Sequence, residues 1–482
     1  MLSLKRGHSA GVDGILPDML TLAADALAPL LTEMLNRLVI GERIPSLLVR
    51  ARVSLLFKKG DSSDVNNFRP ISLLSVVYKT LTRTVLRRME GALELSENET
   101  QAGFRKGYST VDNIHTLKQV IEKATEYDMP VYIALVDYRK AFDSVEWPAV
   151  WTALLSQGVH PSLVNLLSRL YENASTEVQV NEGRVEVDVK RGVRQGDTMS
   201  PRLFNAVLRM AMDSIDWESC GIRINGRQLC SLEYADDIAL IAKSRPELQK
   251  MLRKLMQASA GVGLEVHEGK TVLLTSCITT RQPLLVNGKR FAFTEGARYL
   301  GGWLEFPLDQ EKEMEARVQL GWYAWSKLAP ALCHPLVTIN MRRRAFDACI
   351  TSVVLYGSET WALRTTDKER LAITQRDMER RMLGIAWDDY WTNERVREAT
   401  GVKDWVTEAM KRKFRWATRI RKMDDSRWAK AATVWIPYSH VHRRNQGRPR
   451  TRWRDELKTT FGQRWWSLPD DEWASIHDQH VP

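Results

Sequence analysis

Cysteine is scarce. Five residues in 482 (Cys220, Cys230, Cys277, Cys333 and Cys349) form no C-x-x-C pair, and none lies beyond 349. That excludes a disulfide-stapled secreted scaffold and a zinc knuckle or finger built on paired cysteines. No apolar run reaches the roughly 18 residues a membrane span requires. The opening MLSLKRGHSAGVDG lacks the apolar stretch of a signal peptide, so an intracellular protein is expected. No fixed-period repeat is visible, which argues against solenoids and propellers. What is present is ordinary globular material. Hydrophobic residues make up 44% and charged residues 27%, enough for sizeable cores and too much for a disordered chain. The length suits about three domains. Seventy Lys and Arg against 59 Asp and Glu leave +11, a balance that suits a polyanionic partner such as nucleic acid.

Hydrophobic spacing predicts mainly helices over the first 130 residues, at 16–39 and again over 68–93 after Pro70. Between them ARVSLLFKKGD (51–61) reads as a strand entering a Lys-Lys-Gly-Asp turn. From 131 the pattern is mixed α/β. VYIALV fits a buried strand, 151–159 a helix, and 176–193 a hairpin around Asn181-Glu182-Gly183. A helix starting near Pro201 is followed by two apolar arms around a pair of acids (229–243), then by a Gly-closed helix. TVLLT and RYLGGWL are further strand candidates. Beyond 305, helices are expected near 309–330, 338–355, 366–384 and 404–422, and short helices with ordered loops after 425.

The strongest chemical signal is Tyr234-Ala235-Asp236-Asp237 between LCSLE and IALIA. Asp is a poor strand residue, so two adjacent carboxylates where apolar arms meet need a reason. A solvated turn is one. The other is an ion site shared with Asp137, which ends the apolar run VYIALV. Three clustered carboxylates raise one another's pKa values, and a divalent cation removes the repulsion. Oxygen-only ligands select Mg2+ or Mn2+ over zinc. Two such ions, roughly 3.5–4 Å apart, are the standard device for phosphoryl transfer.

This arrangement resembles the palm of a reverse transcriptase, and further stretches narrow the likeness to the non-LTR (LINE-type) retrotransposon family. In chain order they are SAGVDGI (9–15), NNFRPISLLSVVYK (66–79), QAGFRKGYST (101–110), VDYRKAFDSVEW (136–147), GVRQGDTMSPRLFN (192–205), YADDIAL (234–240), GLEVHEGKT (263–271) and RYLGGWL (298–304). The resemblance implies an α/β right-hand polymerase with fingers, an antiparallel palm sheet and a helical thumb. The expected units are partial fingers with palm elements at 1–130, the palm at 131–304, the thumb at 305–370 and a basic helical region at 371–482. The implied activity is RNA-directed DNA synthesis using two Mg2+ (or Mn2+) ions. The implied partners are an RNA template, a DNA primer or target DNA, dNTPs and a separate endonuclease. SAGVDGI begins nine residues in, so a chain without the family's amino-terminal extension and endonuclease domain is expected.

Roles follow by position. Asp137, Asp236 and Asp237 would be the metal carboxylates, with the Val136 carbonyl beside the first metal. Phe142 matches the steric gate against a ribose 2′-OH, although by residue type alone it is a core aromatic. Asp143 is expected to orient the adjacent helix. Arg69 would meet the triphosphate in pairs of bonds. Lys58 and Lys59 either add positive potential or form an exposed tip. Gln195 and Gly196 would pack on the template base and nucleotide. The family's Pro-Leu is here Thr198-Met199. Lys270 matches the lysine that protonates departing pyrophosphate, and His267 stands where the family has Asn. Leu300, Gly301 and Gly302 resemble the turn that grips the primer.

The last third is basic, with Lys/Arg-rich runs at 410–423 and 442–454 interleaved with Trp405, Trp416, Trp428, Trp435, Trp453, Trp465 and Trp466. Positive charge with planar rings suits phosphate contact and base stacking. Helices with a Trp core face and a solvated Arg face are the alternative. Arg415, Arg419, Arg443, Arg444, Arg448, Arg450 and Arg452 are the candidate nucleic-acid contacts, with a nuclear localisation patch as the alternative for the 443–454 run. Arg342, Arg343 and Arg344 are candidate thumb contacts to the duplex.

Overall fold

The computed structural model describes residues 4, 7 and 9–480 apart from 58–59, 65–66, 181–182, 278, 280, 438–443 and 448–449. Its organising sheet is antiparallel, with strand order β10-β3-β9-β8, where β3 is Tyr132–Val136, β8 Ser231–Tyr234, β9 Asp237–Ala242 and β10 Val272–Thr275. Every residue of β3 is buried. The two-residue period of a strand divides these side chains between two cores. Tyr132, Ala134, Val136, Ile238 and Leu240 face a cluster that includes Phe204 and Leu248. Ile133, Leu135, Ala239 and Ile241 face one with Ile114, Leu117 and Ile121 of the Thr110–Glu126 helix. Covering on both sides is why β3 reads as an uninterrupted apolar run.

A second sheet has the order β2-β1-β4-β5, with β1 Ala51–Phe57, β2 Phe68–Leu74, β4 Thr176–Val180 and β5 Gly183–Val187. Here the reading of 68–93 as helical after Pro70 is corrected. Residues 68–74 pair with β1 over seven positions, from Ala51↔Leu74 to Phe57↔Phe68. Pro70 biases Arg69 to extended backbone and is tolerated because β2 is an edge strand. The helix starts only at Val76, where the Ser75 hydroxyl accepts from the Val77 and Tyr78 amides. The hairpin expected over 176–193 is present but shorter, pairing only from Thr176↔Val187 inward, and its tip residues Asn181 and Glu182 lie outside the described residues. The short hairpins β6 (Ile222–Ile224) with β7 (Arg227–Leu229), β11 (Leu284–Val286) with β12 (Lys289–Phe291) and β13 (Gly296–Tyr299) with β14 (Gly302–Glu305) complete the strands.

The four later helices fall where spacing predicts them, at Gln310–Leu332, around Ile339–Val354, at Thr365–Leu383 and at Trp405–Lys422. The second is interrupted by a π-turn at Phe346–Thr351. No described helix is long and apolar enough to cross a membrane.

The tryptophans of the last third are core residues. Trp405, Trp416, Trp428, Trp435, Trp453 and Trp465 are all buried, so the base-stacking expectation gives way to the packing alternative for these rings. The reason is the Thr110–Glu126 helix, whose far side the carboxy-terminal region covers. Lys123 Nζ donates to the Ala432 carbonyl (2.6 Å), the Thr433 carbonyl (3.1 Å) and the Trp435 carbonyl, all at the end of the Trp428–Val434 helix. A cation there satisfies carbonyls that the helix leaves without partners. His115 Nε2 lies 2.7 Å from Thr433 Oγ1, with the Trp453 and Trp416 rings 4.5 and 5.7 Å from its own.

Burial, followed by the charges of Lys123, Lys118 and Lys413, lowers the His115 pKa from 6.5 to about 3. A base whose folded pKa is depressed binds its proton more readily when unfolded. Its contribution to stability is therefore complete above the unfolded value and is lost as pH falls toward the folded one. Urea unfolding at pH 6.5 and pH 4.5 should show His115 costing roughly 2 kcal/mol over that interval. His115→Gln should flatten this part of the pH dependence, and parallel losses in variant and parent would contradict a buried neutral imidazole.

Candidate active site

Register builds the site. Val136 pairs with Ile238, and Tyr234 pairs with Asp237. One step beyond Val136 brings Asp137 opposite Asp237 at the same sheet end. Ala235 and Asp236 form the two-residue turn, with Ala235 at φ +55°. The mutual effect is visible in Asp237. Protein mass around its accessible carboxylate, then the charge of Asp236, then that of Asp137, raise its pKa from 3.8 to about 6. Asp137 is held by its backbone, its amide donating to Thr271 Oγ1 (3.2 Å) and its carbonyl accepting from the His267 amide (2.8 Å). Lys270 Nζ, largely exposed, stands 3.5 Å from Asp137 Oδ2. Among the described residues no three His, Cys, Asp or Glu side chains already enclose a metal position. The chemistry of the donors nonetheless fits a hard divalent cation. Asp137 Oδ2 is sealed from solvent and receives no hydrogen bond. Among the described residues its cationic neighbour is Lys270 at 3.5 Å, and a buried carboxylate oxygen without a hydrogen bond, beside two further acids, suits a hard divalent cation.

Phe142 lies in the short Ala141–Ser144 helix, its ring stacked on Phe204 (centroids 4.7 Å, 14°) and edge-on to Phe104 at 6.4 Å. The ring is partly buried against the core. It is thus fixed by packing, and both sequence readings of this residue are compatible with the same position. Asp143 Oδ1 accepts from Gln195 Nε2 at 2.7 Å. The Gln195 carbonyl in turn accepts from the Ser72 amide of β2 (3.0 Å). Gly196, at φ +102°, lies so close to β2 that a Cβ would stand 2.8 Å from the Ser72 carbonyl oxygen. Arg69 is three residues away on the same strand, and its side chain lies outside the described residues. Lys58, Lys59, Arg443 and Arg448 also lie outside them.

At the β13–β14 turn Leu300 and Gly301 both have positive φ (48° and 83°). Their carbonyls accept from Tyr356 Oη (2.8 Å) and from Arg317, respectively. A Cβ on Gly301 would meet the Tyr356 ring at 3.0 Å, and one on Gly302 would meet Ile114 at 3.1 Å. The close approach that these glycines permit is therefore taken up within the chain itself.

The candidate arginines of the last third do not form one free face. Arg444 and Arg452 are 2.8 and 2.9 Å from Glu126, and Arg452 also pairs with Asp455 at 2.9 Å. Arg419 donates to the Gly107 carbonyl at 2.5 Å. Arg415 is mostly exposed, 3.5 Å from Glu408, and Arg450 is exposed. Arg342 bonds the carbonyls of Val337 (2.8 Å), Met382 (2.8 Å) and His334 (2.6 Å), which makes it a brace between helices.

Sequence reasoning gave no role to the segment that carries the acidic turn. Gln101, buried, accepts through Oε1 from the Ala235 amide (3.0 Å) and the Gly103 amide (2.7 Å). Asn113 Nδ2 donates to the Glu233 carbonyl at 3.0 Å and lies 3.4 Å from Tyr299 Oη. These residues tie the acidic hairpin to the β13–β14 turn. The available signal was Gln-Ala-Gly before Phe104, a pattern for close backbone approach.

A model of the family described as reverse transcriptase (RNA-dependent DNA polymerase) matches residues 57–304. A transposon-derived protein of Caenorhabditis elegans is 29% identical over 248 residues, 49% of this chain and 87% of that one. The retrovirus-related Pol polyprotein of the type-1 retrotransposable element R2 from Nasonia vitripennis is 29% identical over 54% of this chain and 25% of the polyprotein. The RNA-directed DNA polymerase from mobile element jockey of Drosophila funebris is 23% identical over 70% of this chain and 38% of its own length. The chain thus spans about a quarter to two fifths of those two polymerase relatives. Among solved structures, apo telomerase from Candida Tropicalis aligns with a TM-score of 0.42 at 11% identity, over 88% of this chain and 73% of that one.

Gly103 is the tightest joint beneath the acidic turn, since a Cβ there would lie 2.3 Å from the Ala235 amide nitrogen. Gly103→Ala should lower the unfolding free energy by about 1–3 kcal/mol, the usual range for overpacking. Denaturant melts check this, and an unchanged midpoint would show that the joint has slack.

Proposed function

The chain belongs to the reverse transcriptase family, in its non-LTR retrotransposon branch, and from that premise we propose that it is an RNA-directed DNA polymerase. It extends a DNA primer, or a nicked target-DNA end, on an RNA template with dNTPs. The observation that carries the proposal is the strand register that gathers Asp137, Asp236 and Asp237 at one sheet end, where Asp237 feels both other charges.

In the proposed reaction the primer 3′-OH attacks the dNTP α-phosphate and pyrophosphate leaves. Asp137, Asp236 and Asp237, with the Val136 carbonyl, would hold two Mg2+ or Mn2+ ions. When bound, these supply charge neutralisation at the attacking and leaving oxygens. The protein's own contribution is then mostly positioning, which is worth several orders of magnitude in rate. Lys270, 3.5 Å from Asp137, is close enough to the acids to donate its proton to the departing pyrophosphate. Phe142, stacked on Phe204, presents a rigid edge to the sugar and excludes a 2′-OH. Gln195, anchored on Asp143, and Gly196, pressed on β2, form the floor under the nucleotide and template base. Arg69 on β2 and Lys58 beyond β1 receive the triphosphate. Leu300, Gly301 and Gly302 support the primer end. Among the described residues, Arg415 and Arg450 are the more open of the proposed nucleic-acid contacts. An endonuclease activity would supply the nick, and use of a chromosomal primer would place the reaction in the nucleus.

Primer extension on an RNA template with Mg2+ tests the reading. Asp236→Ala should abolish extension while RNA binding persists. A parent chain that binds RNA and never extends the primer would contradict the proposal. Phe142→Val should raise ribonucleotide incorporation on the order of 10–100-fold relative to deoxynucleotide, the range expected for one steric element in a pocket. Unchanged discrimination would return Phe142 to a purely core role.

A further inference from the structure

The carboxy-terminal region touches the acidic turn through the 101–112 segment, and one side chain does most of this. Arg427 precedes the Trp428–Val434 helix, and its side chain is 14% exposed. Its Nη2 donates to the Gly107 carbonyl at 3.1 Å and to Asp112 Oδ1, and its guanidinium carbon lies 3.3 Å from the centroid of the Tyr108 ring. Arg105 also lies over that ring, at 4.4 Å. Arg419 adds a second bond to the Gly107 carbonyl at 2.5 Å. Asp112 is buried, and its other oxygen accepts from the Ser109 amide and hydroxyl, both at 2.9 Å, closing the first turn of the Thr110–Glu126 helix.

What Arg427 holds leads to the reacting end of the sheet by two short routes. One runs through the helix, where Asn113, next to Asp112, bonds the Glu233 carbonyl one residue before Tyr234. The other runs back along the segment. Phe104 lies 6.4 Å from the Phe142 ring and 6.5 Å from the Tyr234 ring, and Gln101 bonds the Ala235 amide. The Ala102 amide donates to the Glu233 carbonyl (2.8 Å) and the Glu233 amide to the Thr100 carbonyl (2.9 Å), so segment and strand β8 move together.

We propose that Arg427 is a positioning residue for nucleotide addition, holding the 101–112 segment so that the Tyr234–Asp237 turn and the Phe142 ring keep their places. The inference rests on the polymerase reading. A buried charge pair with stacked planar groups has little freedom, and removing Arg427 leaves the buried Asp112 with only the more distant Arg419, at 4.0 Å, as its cation. The consequence for chemistry is displacement of the acidic turn, and a shift near 1 Å costs on the order of 100-fold in rate. Arg427 is a basic residue of the last third whose work in this arrangement is directed inward, not at a phosphate backbone.

The test uses the full chain with poly(rA) annealed to oligo(dT), dTTP and Mg2+. Extension by the unmutated chain is read first. Its absence sinks the polymerase reading, and this inference with it. Given extension, Arg427→Ala should slow single-nucleotide addition at saturating template–primer on the order of 100-fold. The template–primer Kd should change by less than about twofold, because no phosphate contact is lost. The Mg2+ concentration for half-maximal rate should rise. Arg427→Lys keeps a charge for Asp112 but not the planar cover over Tyr108, and should recover part of the rate. Asp112→Asn combined with Arg427→Ala should be no slower than Arg427→Ala alone. A rate unaltered in Arg427→Ala overturns the inference, as does a loss that disappears at saturating template–primer. Should Arg427→Ala fail to fold by thermal melting, Arg427→Lys decides by the same measurements, an unaltered rate and Mg2+ requirement overturning the inference.

Discussion

Like charges held together against their repulsion are the constraint around which this molecule is arranged. Asp137 and the acids of the β8–β9 turn meet because β3 and β9 pair in one register, and strands have a period of two. A slip by one residue would exchange the two cores that flank the sheet, carrying Tyr132, Ala134 and Val136 to the side now occupied by Ile133 and Leu135. Burial on both faces of β3 therefore enforces the meeting of the acids. The raised pKa of Asp237 reflects burial first, with the charges of Asp236 and then Asp137 adding to it.

Much of this was legible beforehand, for identifiable reasons. VYIALV and the arms around Asp236-Asp237 are short and strongly apolar, so strands and their charged ends stood out. Helices after 305 have clear spacing and were located closely. The segment FRPISLL was misread because its apolar spacing suits either period. Pairing with β1, a contact with no trace in local pattern, decided it. The tryptophans misled in another way. Rings among arginines look like a stacking surface, yet several described arginines of this region reach carbonyls and carboxylates of the same chain, as Arg452 does with Glu126, while the rings fill the space beneath.

Least legible was the support under the acids. Gln101, Gly103 and Asn113 carry no charge, lie far from the acids in sequence and act through backbone amides and carbonyls. Such roles depend on where a neighbouring backbone passes, which composition and periodicity do not encode. The likeness to non-LTR reverse transcriptases flagged the stretch containing Gln101 and Gly103, not Asn113, and supplied no physical role for either residue.

The Thr110–Glu126 helix has the central sheet on one side and the Trp428–Val434 helix on the other, with Lys123 plugging the latter's carbonyl end. Lys123 is enclosed by that second covering, while Lys118 is buried toward Thr360, to which its Nζ donates at 3.2 Å. The tail is consequently no detachable cassette. Shedding it would open to water the apolar side chains now packed between the helix and Trp428, Ala431, Ala432 and Trp435, so the two parts are bound to each other by the surface each keeps dry for the other.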